Sequence, residues 1–378
     1  MSFRESRIAP VVGVAWLVVQ AMGASACAPL ASDNRNDGSP DSGHASSPVP
    51  PVGTGTEPSP PMDDDAGWDG GVALARPNAA AYAIALTSDA LYVATGYLYY
   101  GGHVAISAMA KDGGALTPIA FGASNPYVGY LPSALALDAT SAYWTFGDSV
   151  MKAPLDSDGG AATTLATVGD QTNAIALDAE NVYFTSQTAL FSVPIGGGDV
   201  QTLASFTSTD EFPGQGLAVD STSVYFSDGD DIKAVPLNAG ADAGASTLVS
   251  GQAAAGAMAI DATNVYWATS ASAAQPNLLT GIGVAPLQGG TATALLPQST
   301  PFAVLRLRLT ATTIYWTDGM HVSAAPKAGG AVRQVGSLTS DLAANYTITD
   351  LAVDDANAYW TCAGNNAEGP GFVMVHPL

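Results

Sequence analysis

Among the residues able to do chemistry, Arg306 and Arg308 stand in the least expected places. They lie nine and seven residues before Tyr315, and six other tyrosines are led in by the same kind of segment. At the two matching places those segments carry Ala83 and Ala85, Ala134 and Ala136, Ala174 and Ala176, Gly216 and Ala218, Ala257 and Ala259, and Asp350 and Ala352. A guanidinium holds a permanent charge and a planar fork of N–H donors that matches a carboxylate or phosphate. Two expectations follow. Arg306 pairs with Asp350, or Arg306 and Arg308 bind an anion. The groups suited to proton transfer are His103, His321 and Glu368, since His44 falls in a polar leader and His376 in a terminal strand. Tyr97, Tyr99 and Tyr100 add aromatic contact surface to the candidate ligand-binding set. No G-x-S-x-G, H-E-x-x-H, phosphate loop or paired-cysteine motif is present, so no catalytic residue, metal or cofactor is assigned. Asp228, Asp230 and Asp231 lack the ligand spacing of a calcium loop and read as a polar hairpin tip.

These residues are positioned by a repeat. Tyr92, Tyr143, Tyr183, Tyr225, Tyr266, Tyr315 and Tyr359 head the same phrase, at intervals of roughly 40 to 50 residues, the length of one propeller blade. The second copy reads Ala134-Leu135-Ala136-Leu137-Asp138, a small polar turn, then Ala142-Tyr143-Trp144-Thr145. Alternation with period two makes both pieces strands of a hairpin. A third strand ending near proline, a glycine turn such as Gly159-Gly160 or Gly289-Gly290, and a short fourth strand complete the unit. Asp138, Asp178, Asp220, Asp261 and Asp354, with Thr87 and Thr310 in the other two copies, precede the turn and are expected to cap its backbone. The seventh copy stops after three strands, and Gly70 to Ala75 supply the missing fourth from the other end. The expected fold is therefore all-β: a seven-bladed β-propeller of four-stranded antiparallel blades, the last closed by the N-terminal strand, which leaves no open edge in the ring.

The tyrosine phrases, with Tyr315-Trp316-Thr317-Asp318 the fullest, resemble the YWTD propellers of lipoprotein receptors. The resemblance covers Gly70 to Leu378 and is closer to the Ala- and Gly-rich propeller lipoproteins of myxobacteria, with YWTD/NHL-like repeats. It implies a fold rather than an activity, because such propellers serve both as binding platforms and as enzymes.

Residues 1–26 read as a signal peptide, with Arg4 and Arg7 before an apolar run from Val11 to Met22. Gly23-Ala24-Ser25-Ala26-Cys27 resembles a bacterial lipoprotein signal, which implies lipid attachment at Cys27; with Ala28 next, it implies the outer membrane. Ala24-Ser25-Ala26 also reads as an ordinary cleavage site, which would release a secreted or periplasmic soluble protein. Residues 27–69 form a Pro-, Gly-, Asp- and Ser-rich linker, and 70–378 the propeller. The formal net charge of −22 argues against nucleic acid or anionic membrane as partner, so membrane contact is expected only through the lipid. The expected function is a cell-envelope binding platform, active as a monomer toward a protein, peptide or glycan. The alternative is a propeller-type lyase or hydrolase with its site on the loop-rich face of blades six, seven and one.

Overall fold

A computed structural model describes residues 68–96, 104–122, 131–206, 215–237, 244–252, 255–269, 281–297, 304–364 and 370–378. Each repeat forms an antiparallel sheet, and in blades one to six its four strands follow chain order from the inside outward. In blade two these are Pro132–Leu137, Ser141–Phe146, Ser149–Pro154 and Thr163–Thr167. The seven innermost strands are Ala80–Leu86, Pro132–Leu137, Thr172–Leu177, Leu217–Val219, Ala255–Ile260, Arg306–Leu309 and Tyr346–Val353. Each packs beside the next, and the seventh packs against the first. The chain is a seven-bladed β-propeller.

The ring closes as the sequence required. Val72–Ala75 pairs antiparallel with Phe372–Pro377, with Val72 opposite Val375 and Ala73 opposite Met374. Pairing begins even before Gly70. Trp68–Asp69 adds a fifth strand to the outer edge of blade six, Trp68 lying opposite Leu338. The chain then turns through Gly70 and Gly71 into blade seven. A Cβ on Gly70 would come within 2.5 Å of the Val335 carbonyl oxygen, and one on Gly71 within 2.6 Å of the Trp360 ring, so only glycine fits this crossing. A second strap, Gly160–Ala161 of blade two, pairs parallel with the outer strand Thr117–Phe121 of blade one. One helical turn, Ser340–Ala343, joins blades six and seven.

The core lies between blades. Adjacent residues of a strand point to opposite faces, so the tyrosine and the residue after it serve different interfaces. Tyr92 packs with Trp144 between blades one and two, Tyr143 with Phe184 between two and three, and Tyr183 with Phe226 between three and four. Tyr225 packs with Trp267, Tyr266 with Trp316 and Tyr315 with Trp360. At the closing interface Tyr359 meets the smaller Val93, and Ile84, Leu91 and Met109 fill the remaining space.

The repeated aspartates cap their turns. Asp138 Oδ1 accepts the N–H groups of Thr140 and Ser141 at 2.6 and 2.7 Å. Its other oxygen accepts the Tyr143 hydroxyl at 2.7 Å, and Asp178–Tyr183, Asp220–Tyr225 and Asp261–Tyr266 repeat the clasp. Burial opposes ionisation of Asp138, but the hydrogen bonds from Tyr143, Thr140 and Ser141 outweigh it and hold the carboxyl below its ordinary pKa. Burial and the Asp138 bond together push Tyr143 up to about 12.

Candidate functional site

Position along the inner strand decides what each blade offers to the axis. In blade two the inner ladder shifts register between Pro132 and Leu135, and in blade three between Thr172 and Ile175. The Thr145 and Thr185 hydroxyls accept the N–H groups of Ala134 and Ala174 there, each at 3.1 Å. Thr145 also donates to the Asn173 carbonyl of the next blade at 3.2 Å. These hydroxyls let small residues line the axis without orphaned backbone groups.

Blade six is built otherwise. Its ladder runs unbroken from Arg306 opposite Thr317 to Leu309 opposite Ile314, and the Thr317 hydroxyl accepts the Gly319 N–H instead. Both arginines converge on Asp350 in blade seven: Arg308 Nη2 donates to Oδ1 at 3.0 Å, and Arg306 Nε lies 3.4 Å from the same oxygen. Asp350 is 2% exposed and takes the Leu351 N–H at 2.8 Å on Oδ1 and the Ile84 N–H of blade one at 3.0 Å on Oδ2. Arg306 Nη2 meanwhile reaches the Ser133 carbonyl of blade two at 3.0 Å, linking blades that are not neighbours in the ring. The expected Arg306–Asp350 pair is therefore present, and it is one part of a cluster joining blades six, seven, one and two.

Two cations share one carboxylate, so the cluster carries a surplus positive charge. Burial lowers the Arg306 pKa from its ordinary value, Asp350 opposes this and Arg308 adds to it; a guanidinium stays charged regardless. The side chains of Arg306 and Arg308 remain 29% and 37% accessible. Elsewhere among the described residues each lysine reaches a different oxygen: Lys111 on Asp354, Lys327 on Asp261, Lys233 on Asp228, and Lys152 on the Ile195 carbonyl. The Asp228–Asp231 turn is thus the tip of a hairpin whose buried Asp228 serves Lys233.

His321 opens the third strand of blade six. Its Nδ1 lies 3.0 Å from Asp318 Oδ2, and the side chain is 35% accessible. The register places the second strand between it and Arg306, because Arg306 faces Thr317 and Thr317 faces Val322. Cys27, Tyr97, Tyr99, Tyr100, His103 and Glu368 fall outside the described residues. Sequence reasoning missed the role of Ser133 and of the hydroxyls two residues after the tyrosines. The recurrence of Thr145, Thr185, Ser227, Thr317 and Thr361 at one place in the repeat was the available signal.

No family model and no curated protein matches the sequence. Solved structures share the fold. Virginiamycin B lyase from Staphylococcus aureus superposes with a TM-score of 0.60 at 9% identity, over 82% of this chain and 99% of that one. The WD40 β-propeller domain of Doa1 gives 0.58 at 12% identity, over 81% and 96%. The extracellular domain of the putative one-component system BT4673 from B. thetaiotaomicron gives 0.56 at 9% identity, over 82% and 40%. At such identities the likeness is one of architecture.

Proposed function

We propose that the protein is a lipoprotein of the outer membrane, acylated at Cys27, whose propeller is a binding platform. Its working surface is the face of blades six, seven and one where the inner strands begin. The observation that carries this reading is the Arg306–Arg308–Asp350 cluster: charged, held by contacts to four blades, and still open to solvent where matching positions are small and apolar. Residues kept polar and accessible on a rigid scaffold mark a surface that recognises something. The partner on this reading is an envelope protein, peptide or glycan. Mass spectrometry of the mature N-terminus tests the anchor, and a diacylated or triacylated Cys27 is expected; an unmodified terminus makes the protein secreted or periplasmic. Affinity capture from envelope extract tests the platform, comparing the whole protein with its Arg306→Gln, Arg308→Gln double variant. Partners retained by the wild type and released by the variant are expected. An identical set for both would overturn the reading.

The His321–Asp318 pair favours a second reading, a lyase or hydrolase, since a carboxylate bonded to Nδ1 orients an imidazole for proton transfer. An activity found in a broad hydrolase and lyase screen, and abolished by His321→Ala, would establish it in place of the platform.

A further inference from the structure

We infer that Arg308, backed by Arg306, forms a monoanion site at the inner edge of blade six and that the group it takes is a carboxylate. This deepens the platform reading and rests on it for the choice of face.

The argument begins with what Asp350 has left to give. Oδ1 receives the Leu351 N–H and Arg308 Nη2 and faces Arg306 Nε, while Oδ2 receives the Ile84 N–H. Oδ2 could accept one more donor, but Asp350 is buried, so what the cluster shows a ligand is the donors of its accessible arginines. Arg306 is committed as well, with Nη1 on the Leu305 carbonyl at 2.9 Å and Nη2 on that of Ser133. It fixes geometry and contributes charge. Arg308 is the freer of the two. It places Nη1 on the Leu307 carbonyl at 3.1 Å and Nη2 on Asp350, and the remaining N–H groups of its fork belong to the more accessible side chain.

Charge then selects the class of ligand. Two guanidiniums against one carboxylate leave a single positive charge, which one singly charged group neutralises. A dianionic phosphate would bring an unmatched negative charge into a partly desolvated place, which is costly. The planar fork also fits the two oxygens of a carboxylate. The matching inner-strand positions of blades one to five are alanine or glycine, which leave room and bring no competing charge.

Calorimetric titration of the purified whole protein at low ionic strength, in mildly alkaline buffer where inorganic phosphate is a dianion, tests this, using acetate, N-acetylglycine, N-acetylglycinamide and inorganic phosphate. Acetate stands for a free organic acid and N-acetylglycine for a peptide C-terminus; whichever binds tighter identifies the source of the carboxylate. Saturable binding of at least one acid is expected, with the amide silent and phosphate weaker. Arg308→Gln should weaken the acid by about tenfold or more, as loss of a bidentate charged contact does. Arg308→Lys keeps the charge without the fork and guards against a folding defect; it should bind the acid less tightly than wild type at an unchanged melting temperature. Asp350→Asn should shift preference toward phosphate. No saturable acid binding, an Arg308→Gln titration matching wild type, or amide binding equal to the acid would each overturn the site. Phosphate binding tighter than both acids would overturn the carboxylate assignment. Acid binding with no partners captured from envelope extract would retain the site and remove the platform; partners captured without acid binding would do the reverse.

Discussion

Blades two and six carry the same repeat and are joined across the axis by the Arg306–Ser133 hydrogen bond, yet they handle the axis in opposite ways. Blade two presents Ala134 and Ala136, tucks a hydroxyl under the broken ladder, and clasps its hairpin with Asp138 and Tyr143. Blade six keeps its ladder regular, has Thr310 where the clasp aspartate would stand, and spends its inner positions on two arginines. Blade two ties down its inner ladder with its own Thr145 and the next blade's Asn173 carbonyl. Blade six depends on Asp350 and Ser133, supplied by blades seven and two, for its charges. Specialisation in this ring therefore lies in one blade's borrowing from others, and substitution can take the two apart.

The largest effect is expected where the borrowing concentrates. Asp350→Ala strips both guanidiniums of their counter-charge and leaves the Ile84 N–H without its acceptor. Loss of the charged hydrogen bond from Arg308 together with an unsatisfied buried N–H costs about 2.5–5 kcal/mol, to be read from urea unfolding. A loss below about 1 kcal/mol would show that the arginines do not need blade seven. Next comes the clasp. Tyr143→Phe leaves Asp138 Oδ2 without its hydroxyl donor and should cost about 1.5–3 kcal/mol, the range for a hydrogen bond to a charged group. Tyr315→Phe, with no aspartate before it, should stay within about 0.5 kcal/mol. Equal losses would erase the contrast between the blades.

The clasps also set a pH profile. Tyr143 and Tyr266 are pushed up to about 12, by burial first and then by their aspartates. Their folded values exceed the unfolded value near ~10. The stabilisation is therefore complete below that pH and lost as pH rises toward about 12. Asp138, Asp220, Asp261 and Asp354 are held below their ordinary values by hydrogen bonds and, for Asp261 and Asp354, by lysines that outweigh burial. Their contribution is present above ~3.9 and is lost as pH falls through the depressed folded values. Melting temperature measured across pH, alongside absorbance at the tyrosinate band, should show both limbs, and Tyr143→Phe should shrink the alkaline one. Arg306→Ala should cost less than either Asp350→Ala or Tyr143→Phe. It removes the bond to Ser133 but leaves Arg308 and Asp350 as a matched pair, so about 1 kcal/mol is expected. A larger loss would make the cross-axis link a structural strut.

The fold was legible because its signals are periodic. Seven tyrosines at blade spacing, alternating inner strands and a missing fourth strand supplied from the far end leave little choice of architecture. The turn-capping role of Asp138 was also readable, since it is local. Its bond to Tyr143 was not, because that contact depends on how the paired strand brings the ring back over the turn. The Arg306–Asp350 pair followed from the adjacency of blades six and seven. The reach of Arg306 to Ser133 depends on the width of the ring, which no stretch of sequence states. The straps at Trp68–Asp69 and Gly160–Ala161 are two residues each, too short for alternation to announce a strand.

The pairing of Val72 with Val375 bears on how the molecule assembles. The two partners lie nearly the whole folded length of the chain apart, so this contact forms only after all intervening blades have been synthesised. Contacts of such sequence separation slow folding. Until it forms, Phe372–Pro377 presents an unpaired strand edge of the kind that recruits other chains. The vulnerable interval in this protein's life is the one between emergence of its last blade and capture of its first strand.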